Sequence, residues 1–261
     1  MTIYSKTLAK TLTGLLATTA LAFATTAAAQ DDGWSGEASL SGSKTTGNTE
    51  TTDLGLGLNL KKQGQNWGHT FRASADFGRV SGETNKERYV LGYQIDRNFT
   101  DRLYAFGAGD YYRDEFGAFE EGYFLGAGLG YKLVLPDPLA WDVEAGLGYR
   151  SQSPSAPIGL TMAELAALET AGDLDRQNEL ALRGASKLAY DFNEAVSLYN
   201  NSEVTYSKSN TYLWNEIGLT ANLMGNLAAR ASFRVDHNTD VLPGREKTDT
   251  ITRFGVVYTM N

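Results

Sequence analysis

The sequence predicts an all-β chain: a transmembrane antiparallel up-and-down β-barrel of about twelve strands, with one short helix in a long extracellular loop. Apolar and polar residues alternate with a period of two over segment after segment, as in strands that carry one apolar face. Tight turns alternate with longer polar joins, as in barrels whose two rims differ. No run after Gln30 approaches the roughly 18 consecutive apolar residues of a spanning helix. That leaves a soluble secreted protein, or a membrane protein that keeps its polarity inside a barrel.

The 261 residues include no cysteine and two histidines and carry a net charge of −8. A disulfide framework, a thiolate metal site and a cysteine nucleophile are therefore excluded. Acidity argues against nucleic acid as a partner, because neutralising phosphates requires clustered Lys and Arg. The segment 1–29 reads as a secretory signal peptide: Lys6 and Lys10, an apolar stretch from Leu15 to Phe23, then small residues before a cut after Ala29. The apolar stretch, broken by Thr18 and Thr19, is too short to span a bilayer. Residues 30–261 are left to form the barrel.

Strand one centres near Ala38. In strand two Leu54, Leu56, Leu58 and Leu60 oppose Asp53, Gly55, Gly57, Asn59 and Lys61; in strand three Phe71, Ala73, Ala75 and Phe77 oppose Arg72, Ser74 and Asp76. Strand four sets Tyr89, Leu91, Tyr93 and Ile95 against Arg88, Gly92, Gln94 and Asp96. Strand five, near Phe106, is ambiguous because both of its faces are apolar. In "YFLGAGLGYKLVL" the glycines 126, 128 and 130 lie on one face of a continuing alternation. A phosphate loop would instead place its glycines between a strand and a helix start. These glycines serve geometry, relieving crowding beside larger inward residues. Strand seven sets Trp141, Val143, Ala145, Leu147 and Tyr149 against Asp142, Glu144, Gly146, Gly148 and Arg150. The remaining strands centre near Gly184, Asn201, Ile217, Ser232 and Phe254; those at 201 and 217 are weak, because Asn200, Ser202 and Asn215 would sit on the apolar face.

Tight turns are expected at 64–66, 98–101, 136–139, 192–195 and 224–226. Longer joins are expected at "SKTTGN", "SGETNK", "DEFGAFEE", 151–176, "SKSN" and "TDVLPGREK". Both termini then fall on the short-turn rim. Ten residues at about 3.3 Å, tilted about 40°, cover roughly 25 Å, the height of the apolar band of such barrels. Trp34, Trp67, Tyr89, Trp141, Tyr149, Tyr190 and Tyr258 suit interfacial girdles. A soluble sandwich or lipocalin-like barrel turns its apolar set inward, and twelve such faces would have to fill an interior wider than the roughly eight-stranded case that side chains can plug.

Two stretches carry a family resemblance. "SGSKTTGNTETTDLGLGLNL" resembles the first hairpin, and "FRVDHNTDVLPGREKTDTITRFGVVY" the last hairpin, of bacterial proteins catalogued under a domain of unknown function and often labelled salt-induced outer membrane protein. The resemblance implies a cell-outer-membrane barrel exported through the periplasm, with no settled activity and a hint of osmotic stress. Its surroundings would be outer-membrane lipid and lipopolysaccharide, with the barrel-assembly machinery during biogenesis. Such barrels usually end on an aromatic residue read by that machinery; this chain ends "VVYTMN", and Tyr258 shares the parity of Phe254 and Val256.

Parity sends charge inward: Asp53, Arg72, Asp76, Arg88, Asp96, Asp142, Glu144, Arg150, Glu179, Arg183, Lys187, Arg230, Arg234, Asp236 and Arg253 are the candidate lumen-lining residues, joined by Glu37, Lys61, Lys132, Asp191 and Glu203. Arg or Lys on the lipid face would cost about 2–4 kcal/mol at the midplane. The inward charges form either ion pairs that rigidify an occluded lumen, or a narrow polar pore for an ion or small solute. The outer loops are acidic (Asp114, Glu115, Glu120, Glu121, Glu164, Glu169, Asp173, Asp175), which reads as a solvated rim or as a gatherer of cations. Thr161 with Glu164 forms a capping box and Gly172 a stop, predicting a helix over 162–171. Its stripe of Met162, Leu165, Ala166 and Leu168 either packs against the barrel mouth or folds inward as a constriction. No cofactor or metal is expected. A hydrolase would need His237 with Asp236 and Asp240, but parity sends His237 and Asp236 to opposite faces, and His69 lies near the other rim.

Overall fold

The computed structural model describes residues 33–45, 51–134, 138–157 and 159–260. The expected signal peptide lies outside them, as does half of the turn at 136–139, residues 136 and 137. The strands are β1 (Trp34–Thr45), β2 (Thr51–Gln63), β3 (Trp67–Val80), β4 (Glu83–Asn98), β5 (Leu103–Asp114), β6 (Phe119–Val134), β7 (Leu139–Pro154), β8 (Gln177–Asp191), β9 (Val196–Ser207), β10 (Thr211–Met224), β11 (Leu227–Asn238) and β12 (Thr248–Met260). One helix, α1 (Met162–Ala171), interrupts the β7–β8 connection. Each strand pairs antiparallel with its sequence neighbours, and β1 pairs with β12 to close the barrel. Closure leaves no unpaired edge, which a chain with its backbone in hydrocarbon requires.

Register fixes which way each residue points. Leu54 lies opposite Phe77 and Leu58 opposite Ala73 across β2 and β3, while Ala38 faces Tyr258 and Leu40 faces Val256 at the closing seam. This apolar set points outward. Leu40, Leu91, Leu125, Leu129, Leu147, Leu180, Leu182 and Phe254 are all exposed on the barrel exterior. In a soluble protein such a belt would be an aggregation surface, whereas in a bilayer it is the lipid contact. Trp34, Trp67, Trp141 and Tyr258 ring it near the short turns, and Tyr149, Tyr123 and Tyr206 near the other rim. The molecule thus has the architecture of a membrane-spanning β-barrel.

The two ambiguous regions resolve by packing. In β5, Tyr104, Phe106 and Ala108 point inward and are buried together, and Leu103 and Tyr111 take the outer face. In β9 and β10 the polar residues do sit on the apolar face. There Asn215 Nδ2 donates to Asn200 Oδ1 at 3.2 Å and to Ser202 Oγ at 2.7 Å, so the amides satisfy one another and the alternation survives.

The rims differ less than the sequence predicts. "SGETNK" is not a loop: Ser81 (φ 50°) and Gly82 (φ 86°) make a two-residue left-handed turn, and β4 begins at Glu83. The β5–β6 and β9–β10 joins shrink to 115–118 and 208–210, and the β7–β8 loop starts at 155 rather than 151, because β7 runs to Pro154. Polar composition marks where a strand leaves the membrane, not where its pairing ends. Only the loops 155–176 and 239–247 are long among the described connections. α1 carries the predicted capping box, with Glu164 accepting from the Thr161 backbone N–H at 2.8 Å. Those bonds hold the Glu164 carboxyl below its ordinary range. None of the α1 residues is fully buried: Met162 is 84% exposed while Leu165 and Leu168 are half-buried, so the apolar stripe is covered only in part, and no α1 residue lines the lumen as a plug would.

Candidate functional site

The lumen wall is built by the inward faces of all twelve strands. At mid-height Glu144 on β7 accepts four hydrogen bonds, from Gln94 Nε2 (2.9 Å), the Tyr104 hydroxyl (3.0 Å), Arg183 Nη1 (2.9 Å) and Lys187 Nζ (2.6 Å). Arg183 turns its Nε and Nη2 to Glu203 at 3.0 and 2.7 Å. Gln94 also donates to Asp96, and Arg72 reaches Asp110 at 3.2 Å. The Arg183 guanidinium lies over the Phe106 ring. A buried charge persists only when paired and hydrogen-bonded, and here both conditions hold.

A second cluster sits toward the long-loop rim around Asp236 on β11. It accepts from Arg88 at 3.3 Å, from Arg234 Nε and Nη2 at 2.9 and 2.8 Å, and from the Tyr212 hydroxyl. Arg88 lies 3.8 Å from Asp114 and Arg234 lies 3.7 Å from Glu216, with Arg234 stacked on Trp214. Arg150 is held otherwise. It lies between the Phe119 and Tyr212 rings and donates to the Asn210 carbonyl at 3.3 Å, with no carboxylate at ion-pair distance among the described residues. Separate pairs line the rest of the wall: Arg253 bidentate to Asp76, Arg230 to Glu37 at 2.8 Å, Lys86 to Asp53 at 3.5 Å.

Of the fifteen sequence-derived candidates, all but Asp53, Glu144 and Glu179 border the lumen cavity described below, Asp142 among them, in register with Lys132 and Lys187 on the adjacent strands. Glu179 is drawn aside, accepting from the Ser209 backbone N–H and hydroxyl at 3.0 and 2.8 Å, where it secures the β9–β10 turn. Sequence reasoning missed Asp110, Asp114, Tyr212, Trp214 and Glu216, because β5 and β10 had no clear apolar face. The strict parity of their neighbours was the available signal.

The β5–β7 side of the lumen is filled. Tyr104, Phe106 and Phe124 pack against the glycines of β6 and β7: a Cβ on Gly128 would stand 2.8 Å from Phe106 Cζ and 2.6 Å from the Gly146 Cα, and one on Gly130 would fall on the Tyr104 ring. The glycines are seats for aromatic rings. Beside this packed wedge runs a cavity of about 1060 Å³. It touches Glu37, Lys61, Asn98 and Asp191 near the short-turn rim and Asp114, Phe119, Asn238 and Asp249 near the other, but not Phe106, Phe124 or Glu144. Tyr104 also borders it, so the cavity runs against one edge of the wedge and clear of Phe106 and Phe124.

The histidines and acids that a hydrolase would need lie apart among the described residues. His237 Nδ1 lies 2.8 Å from the Thr248 hydroxyl on the outer face, while Asp236 points into the lumen, and His69 pairs with the Tyr93 hydroxyl. Among the described residues no group of three or more His, Asp or Glu is arranged to hold a metal.

Closed strand order, lipid-compatible exterior and charged interior define a twelve-stranded transmembrane barrel. The chain belongs to the family described as "Protein of unknown function, DUF481", whose model matches residues 38–260. No curated protein matches it. Among solved structures it is similar to the NanC porin, with 11% identity over 85% of this chain and 98% of that one and a TM-score of 0.49. It is also similar to an outer-membrane channel from Pseudomonas putida F1 (10% identity, 87% and 93% covered, TM-score 0.46). A third likeness is to the translocator domain of the autotransporter NalP from Neisseria meningitidis (15% identity, 86% of each chain, TM-score 0.43).

Proposed function

We propose that this protein is an outer-membrane channel: a narrow passage for ions or small polar solutes, used under envelope or salt stress. The observation that carries the reading is a cavity of about 1060 Å³ with lining residues at both rims, running beside a packed aromatic wedge. Eight strands leave an interior that side chains fill and sixteen leave an open channel. Twelve, with one side filled, leave a slot. Its arginines are mostly neutralised in place, which suits small solutes passing through water more than tight binding of one multiply charged ligand. The short-turn rim would face the periplasm, and the acidic long-loop rim the lipopolysaccharide. The stress link rests on the family resemblance alone.

Purified protein in planar bilayers should give discrete conductance steps. A silent protein would favour the second reading, an occluded barrel that stabilises the membrane; the buried Arg183–Glu144 pair is the observation on its side. Transcript levels after a salt upshift test the stress link separately.

A further inference from the structure

The β11–β12 loop does not stand away from the barrel. From residues 239–247 it sends Arg245 to the loops of other hairpins: Nε and Nη2 donate to the Ala156 carbonyl at 3.0 and 2.8 Å, and Nη1 to the Phe116 carbonyl at 3.2 Å. In the closed strand order, the β5–β6 hairpin that carries Phe116 lies diametrically across the barrel from the β11–β12 hairpin. One side chain therefore ties opposite walls together over the mouth. The acceptors are already joined to each other, since Ser155 N and Oγ donate to the Ala118 and Gly117 carbonyls. The base of the loop is fastened too: Thr239 N donates to the Thr211 carbonyl, and Lys247 Nζ to the Thr239 carbonyl at 2.7 Å. The tip turns at Gly244 (φ 78°), with Arg245 N donating to the Leu242 carbonyl, so the guanidinium leaves a folded loop with a set direction.

We propose that the loop 239–247 is a strap that closes the long-loop mouth of the passage, with Arg245 as its latch; this rests on the channel reading. The base is held on its own side by several bonds, whereas the far side is held by one guanidinium. Its three hydrogen bonds go to two backbone carbonyls at solvent-exposed positions, so water can replace them without leaving a charge buried. Such a latch is reversible, unlike the Asp236 and Glu144 clusters below it, where release would strand buried charges. The helix-bearing loop 155–176 then serves as the keeper that presents the Ala156 carbonyl, and not as the plug.

The chain has no cysteine, so a lone Ser232→Cys in the lumen wall, which is buried and lines the cavity, reports on the mouth. The probe is a charged, membrane-impermeant thiol reagent added from the long-loop side. In the background of Arg245→Ala, labelling should speed by about tenfold, the loss expected for one charge-assisted set of contacts at an exposed site. Arg245→Lys, which keeps the charge but not the fork, should fall between. Heat-modifiable mobility of each variant on gels verifies that the barrel has folded. Unchanged labelling in folded Arg245→Ala overturns the strap. Faster labelling with conductance still absent would uphold the strap while removing the channel reading, and faster labelling with raised conductance supports both.

Discussion

Removing Glu144 tests whether the lumen network is structural. Its side chain is 1% exposed and that of Arg183 is 2% exposed, so screening by solvent does not dilute the pair. Replacing one partner of a buried pair costs about 3–5 kcal/mol, because the other is left uncompensated. Here Glu203 still neutralises Arg183, and Lys187, about a third exposed, can turn to water. Glu144→Ala should therefore sit at the low end, about 3 kcal/mol. Glu144→Gln keeps an acceptor for Tyr104 and Gln94 and should cost about 2 kcal/mol, the value of hydrogen bonds to a charged group. With Arg183→Met the double-mutant cycle should show coupling of about 1–3 kcal/mol. Guanidinium unfolding of the barrel in lipid vesicles, followed by the fluorescence of its four tryptophans, reads all of these. If Glu144→Gln lies within about 0.5 kcal/mol of the parent and coupling is nil, the network behaves as hydrated surface pairs do and the structural reading is refuted.

Leu147 is 68% exposed at the middle of β7, and Leu147→Arg should destabilise the barrel in vesicles by about 2–4 kcal/mol; a smaller effect would mean that this face does not meet hydrocarbon. Gly128→Ala drives a methyl against the Phe106 ring and the facing β7 backbone, and should cost about 1–3 kcal/mol by equilibrium unfolding. A stable Gly128→Ala barrel would show that the ring is not seated on the glycines. Deleting 159–172 removes an exposed helix and should leave single-channel conductance unchanged; a rise would return the constriction role to α1.

Much of the fold was legible because β-parity is local. Leu54 to Leu60 opposite Asp53 to Lys61 fixes two faces without knowledge of any partner strand, and each of the twelve expected strands coincides with a strand found. It failed where local pattern and neighbours disagreed. β5 offers two apolar faces, and only the glycines of β6 and β7 across from it decide that Phe106 turns inward. Asn200 and Asn215 argue against an outward face until their strands pair and the amides meet. Loop lengths were misjudged at "SGETNK", since polar residues above the membrane can still pair.

The alternation, the absence of a spanning helix and the inward sorting of charge belong to the sequence, because each depends on residues within one strand length. Which charges neutralise which, and which wall is filled, depends on strands far apart in the chain. Arg253 finds Asp76 and Arg88 finds Asp236 only after the barrel closes. The reach of Arg245 to Phe116 across the mouth has the same origin, since curvature brings into contact what no periodicity relates.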